Sequence, residues 1–314
     1  MYGDGRQKIY NDTPINRNTI LQILQDAWNI HEQNVADMKY LIRFFKGKQD
    51  ILKRAKANNS EINNKVVLNY ANSSVRNIVG YTFGKPIQFI PRIGDNKDQI
   101  KRLSDIFEYE NAYTIDNEVA FDASITGLGY FCTLPSSEIT SDFMPEIPIK
   151  LASLNAMNTF VIQSASIGEP VRLTCTYWVD NNAADKNIYT YFTAFTETEV
   201  YTIKSRANGS LAALTTDNEI LEDVNVLGIN PIQQVWNNKF LMGDFEVAIS
   251  VLNALNQIAS DSLNDVENVI KSLLVIINSE LDKNTTEAVR RNRVLELLGS
   301  PRNTGRCKIY IPAA

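Results

Sequence analysis

One stretch of about thirty residues keeps a helical pattern without any glycine or proline, and it constrains the fold more than any other part of the chain. Its apolar residues recur at steps of three and four, which places them along one side of an α-helix. They are Phe245, Ala248, Leu252, Leu255, Ala259, Leu263, Val266, Ile270 and Leu273. Such a helix is about 40 Å long, whereas the average globular helix has only about 11 residues. The sequence therefore predicts one long, continuous helix.

Acidic residues occur along this helix, and residues 244–270 contain no Lys or Arg. The acidic positions are Asp244, Glu246, Asp261, Asp265 and Glu267. A row of this kind either solvates an exposed face or forms a repulsive surface that lines a passage. The pattern alone leaves both interpretations open.

A second helical pattern occupies the N-terminal part of the chain. Apolar steps predict a helix over residues 20–47, interrupted once near residues 29–34 and ended by Gly47. Thr19 precedes the first apolar residue, so its hydroxyl is expected to cap this helix.

Two more helices are predicted over residues 66–79 and 99–125, the second broken at Asn111. The spacing of Gly80, Gly84 and Pro86 predicts a turn that leads into a short apolar strand.

Strand-forming residues dominate the next part of the chain. Stretches rich in Val, Ile, Thr, Tyr and Phe predict strands over residues 149–154, 159–163, 171–179, 188–195 and 199–204. The Asn208-Gly209 pair predicts a hairpin turn after the last of them. Helices in the first part and strands in the second indicate an α+β fold.

Few residues could support catalysis. His31 is the only histidine, and a histidine without a nearby ligand or base is typically structural. The carboxylate pairs Asp105/Glu108 and Asp116/Glu118 are of a kind found on most helices, so a metal nuclease is a minor alternative. No phosphate-binding loop with the required Gly and Lys spacing occurs. We therefore predict no enzyme and no cofactor.

The cysteines and the charge exclude further classes of protein. Cys132, Cys175 and Cys307 are far apart, which predicts buried thiols and neither a zinc site nor a disulfide framework. The net charge of −5 argues against a protein that wraps tightly around nucleic acid. No run of about 18 apolar residues and no secretory signal is present, so we expect no membrane span and synthesis in a reducing cytoplasm.

The sign of the charge reverses near the end of the sequence. Residues 287–308 contain six basic and two acidic residues, which indicates either a solvated basic surface or a site for an acidic partner. The basic residues are Arg290, Arg291, Arg293, Arg302, Arg306 and Lys308.

Five short blocks follow one another in a characteristic order. They are Phe44-Phe45-Lys46-Gly47-Lys48-Gln49 after Tyr40; Asn63-Asn64-Lys65-Val66-Val67-Leu68-Asn69; Gly80-Tyr81 with Gly84, Pro86 and Ile87; residues 123–130 with Gly129-Tyr130; and Asn230-Pro231-Ile232 followed by Asp244-Phe245-Glu246 and the long helix. Together these blocks resemble the portal proteins, or head-to-tail connectors, of tailed double-stranded DNA phages.

The resemblance implies a portal-like architecture. It divides the chain into a flexible arm (1–18), a wing with helices to about residue 125 and strands over 126–240, a stem helix (241–274) and an incomplete, small α/β clip (275–314). Members of the family continue into a second stem helix, a tunnel loop and a crown. These elements are expected to be absent, because the sequence stops at Ala314.

The resemblance also implies a function without catalysis. A ring of about twelve copies would form a channel at one capsid vertex, through which double-stranded DNA is packaged and ejected. The implied partners are the terminase motor, a head-tail adaptor and the major capsid protein, in the virion and, during assembly, in the host cytoplasm. A minor head or scaffold protein that forms no DNA channel is the alternative.

Three sets of residues receive roles from this resemblance. The five acidic residues named above are expected to line the channel. Leu252, Leu255, Leu263, Val266 and Ile270 are expected to pack between neighbouring stems, and Arg290, Arg291, Arg293 and Arg302 are expected to dock the motor or adaptor.

Overall fold

The computed structural model describes residues 5–55, 62–92, 96–136, 149–180, 189–205 and 219–271. Within them the helices are α1 (Ile20–Phe45), α2 (Tyr70–Thr82), α3 (Lys97–Tyr109), α4 (Ala112–Thr126) and α5 (Ile249–Lys271). The strands are β1 (Ile9–Tyr10), β2 (Leu128–Pro135), β3 (Ile149–Leu154), β4 (Thr159–Gln163), β5 (Val171–Asp180), β6 (Tyr189–Phe195), β7 (Glu199–Ser205), β8 (Glu219–Val224) and β9 (Ile232–Trp236). The α+β class is therefore confirmed.

The strands form two sheets. The larger has the order β1-β4-β5-β6-β7-β8 and is antiparallel except for the parallel pair β1 and β4. The smaller has the antiparallel order β3-β2-β9. In β6 the side chains of Thr190, Phe192 and Ala194 are buried and the intervening ones are half-buried, as expected for a sheet with one covered face. The five predicted strands are confirmed as β3 to β7, with ends that differ by at most one residue.

Helix α1 contributes to all three apolar clusters of the described structure. Its first half, including Ile23 and Leu24, packs on the larger sheet. Met38 packs with the smaller sheet. Leu41 and Phe44 pack with α2, α4 and the start of α5.

The predicted interruption of α1 is wrong, because the helix is continuous from Ile20 to Phe45. His31, Asn34 and Val35 are all buried where the interruption was expected, so tertiary packing holds this polar stretch in the helix. Thr19 occupies the N-cap position, but its hydroxyl donates to the carbonyl of Pro14 and does not cap the helix.

Residues 66–69 do not form the predicted first turn of α2, which begins at Tyr70. Asn69 instead caps α2, its side-chain oxygen accepting from the backbone N–H of Asn72 at 3.4 Å. The break at Asn111 is confirmed, with φ of 54° in the left-handed region between α3 and α4. Residues 85–92 are not a strand, and Ile87 and Ile90 in this stretch are exposed.

The N-terminal segment is not a flexible arm over residues 5–18. Ile9 pairs with Ile162 of β4, and the side-chain amide of Asn34 bonds both the N–H and the carbonyl of Gln7 at 2.9 Å. This segment therefore packs within its own chain, and the prediction of a flexible arm is wrong for these residues.

The long helix is confirmed as one continuous element, although it starts later than predicted. A short 3₁₀ turn at Glu246–Ala248 precedes α5, which then runs to Lys271, a length of about 35 Å. Leu273 and the predicted clip lie outside the described residues. No described helix combines the length and the apolarity that are needed to cross a membrane.

Candidate functional site: the long helix and its seat

A buried ion pair fixes the start of the long helix. The guanidinium of Arg6 donates from Nη2 to Oε1 of Glu246 at 2.5 Å, and both side chains are almost fully buried. Arg6 also donates to the carbonyl of Thr126, at the end of α4. The other carboxylate oxygen of Glu246 accepts from the N–H of Gly243 at 3.0 Å. The N-terminal segment, α4 and the turn before α5 are thus joined at one point.

A second carboxylate fixes the same region. Asp244 accepts hydrogen bonds from the hydroxyl of Ser124 and from the side-chain amide of Asn237, the latter at 2.8 Å. Close by, Gly127 ends α4 with φ of 88°, and a Cβ atom there would lie 2.1 Å from the carbonyl oxygen of Leu241. Only glycine allows the chain before α5 to approach α4 this closely.

The side of α5 is held by three polar side chains, which we call the polar ladder: Asn256, Ser260 and Asn264. All three have 0% exposure. Their side-chain oxygens accept from the backbone N–H groups of Leu68, Val66 and Asn64, at 2.8, 2.9 and 2.7 Å respectively.

The geometry of the polar ladder follows from two repeats. Four residues of α-helix rise about 6.0 Å, and two residues of extended chain rise about 6.6 Å. Every fourth residue of α5 therefore meets every second residue of the segment 64–68, which runs antiparallel to the helix. This pairing gives residues 64–68 hydrogen bonds that a helical turn would otherwise provide, and it explains why they are not helical.

Gln49 connects the polar ladder to the end of α1. Its side chain is 1% exposed, accepts from the amide of Asn256 and donates to Asn69 at 3.1 Å. Asn69 in turn donates to the carbonyl of Phe45 at 2.9 Å. Two of the five sequence blocks, the one ending at Gln49 and the one ending at Asn69, thus meet on the buried side of α5. A connected buried network of this kind fixes one arrangement of the parts it joins.

The opposite side of α5 is apolar and exposed. We call this the apolar face; it consists of Val247 in the preceding 3₁₀ turn and of Val251, Leu255, Ile258, Leu263, Val266 and Val269 on α5, which are 38–72% exposed. A helix on the surface of a soluble monomer normally buries its apolar side and exposes its polar side. Over its length beyond Leu252, α5 does the reverse, which marks the apolar face as an interaction surface.

Only some of the residues predicted to pack between stems are exposed on the described part of α5. Leu252 is 9% exposed and packs in the same cluster as Leu41 and Phe44, so its role lies within its own subunit and the prediction is wrong for it. Leu255, Leu263 and Val266 belong to the apolar face. The side chain of Ile270 and the predicted docking residues Arg290, Arg291, Arg293 and Arg302 lie outside the described part.

The acidic residues do not share one face, contrary to expectation. Glu246 is buried against Arg6, so it cannot line a channel. Glu267 lies on the side of the polar ladder and accepts from the amide of Asn64 at 2.7 Å. Asp261 forms an ion pair with Arg54 at 2.9 Å, and Asp265, one turn further on, is exposed. A channel-lining role for Asp244, Asp261, Asp265 and Glu267 stays a prediction.

His31 and two of the cysteines lie in the interior. His31 is 2% exposed, its ring packs against Phe160, and burial lowers its pKa to about 4, so it is neutral at pH 7. Burial raises the pKa of Cys132 to about 11 and raises that of Cys175 as well. These three side chains are structural, while Cys307 lies outside the described residues. Among the residues that the structure describes, no group of three or more His, Cys, Asp or Glu side chains could hold a metal ion.

The sequence patterns did not predict the residues that attach α5 to the rest of the chain. The row Asn256, Ser260 and Asn264 recurs every four residues and was a readable signal for a buried polar stripe. Arg6 gave no such signal, because its partner is 240 residues away.

The candidate site is thus a long helix with a buried polar side and an exposed apolar side, on an α+β body. Comparison with known families identifies the class as phage portal proteins. The family model described as "Phage portal protein, SPP1 Gp6-like" matches residues 24–307, and the chain therefore belongs to that family. No curated protein matches the chain. The family is one of structural, non-enzymatic proteins of the phage virion.

Proposed function

We propose that this chain is the portal subunit whose ring surrounds a DNA channel at one capsid vertex. Double-stranded DNA enters the capsid through this channel during packaging and leaves through it during ejection. The observation that carries the proposal is the exposed apolar face of α5 on a chain of the portal family. In the ring this face packs against the neighbouring subunit.

The energetics favour such a contact. Full burial of an exposed Val, Leu or Ile side chain contributes about 1.5–3 kcal/mol, and each of the seven on the apolar face, which are 38–72% exposed, can gain part of this. A ring needs a heterologous contact, in which one face of each subunit meets a different face of the next. The polar ladder holds α5 rigidly enough to present its apolar face at a fixed angle, which a closed ring requires.

The remaining acidic residues would act on DNA by repulsion. Asp261 is paired with Arg54, and Asp244 and Glu267 are hydrogen-bonded within the subunit, so the exposed Asp265 is the described acidic residue of this group whose charge a ring would best repeat around its axis. Negative charge near the phosphates keeps DNA from pausing, and at physiological salt this repulsion reaches only about 8 Å. It therefore acts on DNA that nearly fills the channel.

The same proposal assigns the partners. A ring of about twelve copies would contact the major capsid protein, and residues 275–314, with Arg290, Arg291, Arg293 and Arg302, would dock the terminase motor and later the head-tail adaptor.

Mass photometry and negative-stain imaging of the purified chain test the proposal. A closed ring with a central hole supports it. A stable monomer at micromolar concentration contradicts it and favours a minor head or scaffold protein without a channel.

A further inference from the structure

A basic surface lies at the C-terminal end of α1. It consists of Lys39, Arg43, Lys46, Lys48 and Lys53, all exposed. Residues 39–53 contain these five basic residues against one acidic residue, Asp50, in a chain whose net charge is −5. No described residue forms an ion pair with any of the five. The described part of the subunit therefore leaves a local excess of positive charge here.

The helix holds three of these charges along one side. Lys39, Arg43 and Lys46 follow each other at steps of four and three on α1. The other side of the helix is fixed in the interior, because Leu41 and Phe44 are each 1% exposed. The backbone of the three residues is thus already ordered, which lowers the cost of binding a partner with closely spaced negative charges.

The acidic residues near this surface do not cancel it. Asp50 is half-buried, and its carboxylate accepts from the hydroxyl of Tyr40. Asp37 is half-buried and, two residues before Lys39, lies on another side of α1. Glu32 is exposed on the same side as Lys39 but two turns before it, so it marks the limit of the basic surface.

We propose that the basic surface binds the phosphate backbone of duplex DNA at a site outside the channel. Duplex DNA presents about one negative charge per 1.7 Å of its length, so the roughly 10 Å of helix from Lys39 to Lys46 faces about six phosphates. Phosphate contacts carry no direct sequence information, so the site accepts any duplex. The inference goes beyond the proposed function, in which DNA passes the subunit without being held.

The basic surface lies apart from the acidic residue that would repel DNA in the channel. Gln49, next to Lys48, accepts from the side-chain amide of Asn256 on α5. Asp265 lies nine residues further along α5 than Asn256, a distance of about 13.5 Å. This distance exceeds the Debye length of about 8 Å at physiological salt, so repulsion at Asp265 does not cancel attraction at the basic surface.

Fluorescence anisotropy with a short labelled DNA duplex tests this site. The neutralised variant carries Lys39→Gln, Arg43→Gln and Lys46→Gln. Three phosphate contacts weaken binding about 40-fold when the salt concentration rises from about 50 to about 200 mM. The native chain should show at least this weakening. The neutralised variant should bind more weakly at the lowest salt, and its salt dependence should be about 40-fold smaller.

A matched control carries Lys97→Gln, Lys101→Gln and Arg102→Gln. These are also two Lys and one Arg, exposed on a helix, but the exposed Asp98 and Asp105 lie among them on α3. The net charge changes by the same amount as in the neutralised variant. The control should bind duplex DNA like the native chain.

A second variant keeps the charge and changes the side chains. It carries Lys39→Arg, Arg43→Lys and Lys46→Arg and should bind duplex DNA like the native chain, because phosphate contacts of this kind depend on charge. Far-UV circular dichroism and thermal melting show that each variant is folded.

The outcomes separate this inference from the proposed function, with mass photometry of the same samples giving the oligomeric state. A neutralised variant that forms native rings but has lost affinity for DNA supports the inference. A neutralised variant that binds DNA like the native chain, or a control that loses as much affinity, overturns the inference and leaves the proposed function intact. A neutralised variant that loses its rings also overturns it, since the basic surface then serves a protein contact. A native chain that binds DNA through this surface but forms no ring contradicts the proposed function only.

Discussion

Arg6 and Glu246 form a buried ion pair across 240 residues of sequence, with 2.5 Å between Nη2 and Oε1. The pair joins the N-terminal segment to the turn that starts the long helix, at side-chain exposures of 1% and 2%. The position of α5 therefore depends on the N-terminal segment, and the sequence of α5 alone does not predict this contact.

Replacing Glu246 by Gln should destabilise the subunit by about 3–5 kcal/mol, because the buried guanidinium of Arg6 loses its counter-charge. The free energy of unfolding in urea measures this effect. Asp265→Asn is the matched control, since it removes an exposed carboxylate from the same part of the chain and should change stability by less than about 0.5 kcal/mol. Equal, small effects of both substitutions would show that the ion pair is not needed.

Replacing Asn256 by Ala should weaken the attachment of α5 to residues 64–68. The N–H of Leu68 then loses its acceptor. A fully buried donor left unpaired costs about 1–3 kcal/mol, and this partly buried hydrogen bond lies at the lower end of that range. Hydrogen exchange, followed by mass spectrometry, should become faster over residues 64–68. The neighbouring exposed substitution Gln257→Ala should leave this exchange unchanged, and faster exchange in both variants would argue against the polar ladder.

Replacing Leu255 by Asp should abolish ring assembly and leave the subunit folded. The side chain is 38% exposed in the subunit, so the change is tolerated there, but burial of an unpaired carboxylate between neighbours costs several kcal/mol. Mass photometry gives the oligomeric state. Gln257→Asp adds the same charge to the exposed helix outside the apolar face and should still form rings. A Leu255→Asp variant with native rings would refute the packing of α5 against its neighbour.

The stability of the subunit should fall as the pH decreases from about 6.5 to about 4. Burial lowers the pKa of His31 to about 4, below its unfolded value of about 6.5, so in this range the unfolded chain binds more protons than the folded one. The loss from this residue amounts to roughly 3 kcal/mol at pH 4. Urea unfolding of the native chain and of His31→Phe, measured at pH 7 and pH 4.5, isolates the contribution of His31 to this loss. The variant should lose less stability than the native chain, and an equal loss would contradict the neutral, buried histidine.

Local patterns predicted most of the fold. The helical spacing around Leu41 and the alternation around Phe192 matched elements whose apolar side is buried within the subunit. The long helix was predicted for the same reason, and beyond Leu252 its apolar side is not covered by the described part of the chain. Sequence periodicity reports which residues share a face, but it does not report whether that face is covered by the same chain or by another.

Long-range polar contacts account for the errors. Val66, Val67 and Leu68 continue the apolar pattern of α2 in the sequence, yet side chains nearly 200 residues away bind the backbone of this segment and keep it extended. Glu246 belonged to an acidic series by sequence, but a partner near the N-terminus removed it from the surface. Contacts of this kind depend on the whole fold, so no window of sequence contains them.

Since helix α1 contributes side chains to every apolar cluster of the described structure, no cluster can open without disturbing this one element. Melting of the body should accordingly be cooperative, and the central amides of α1 should be the last to exchange with solvent.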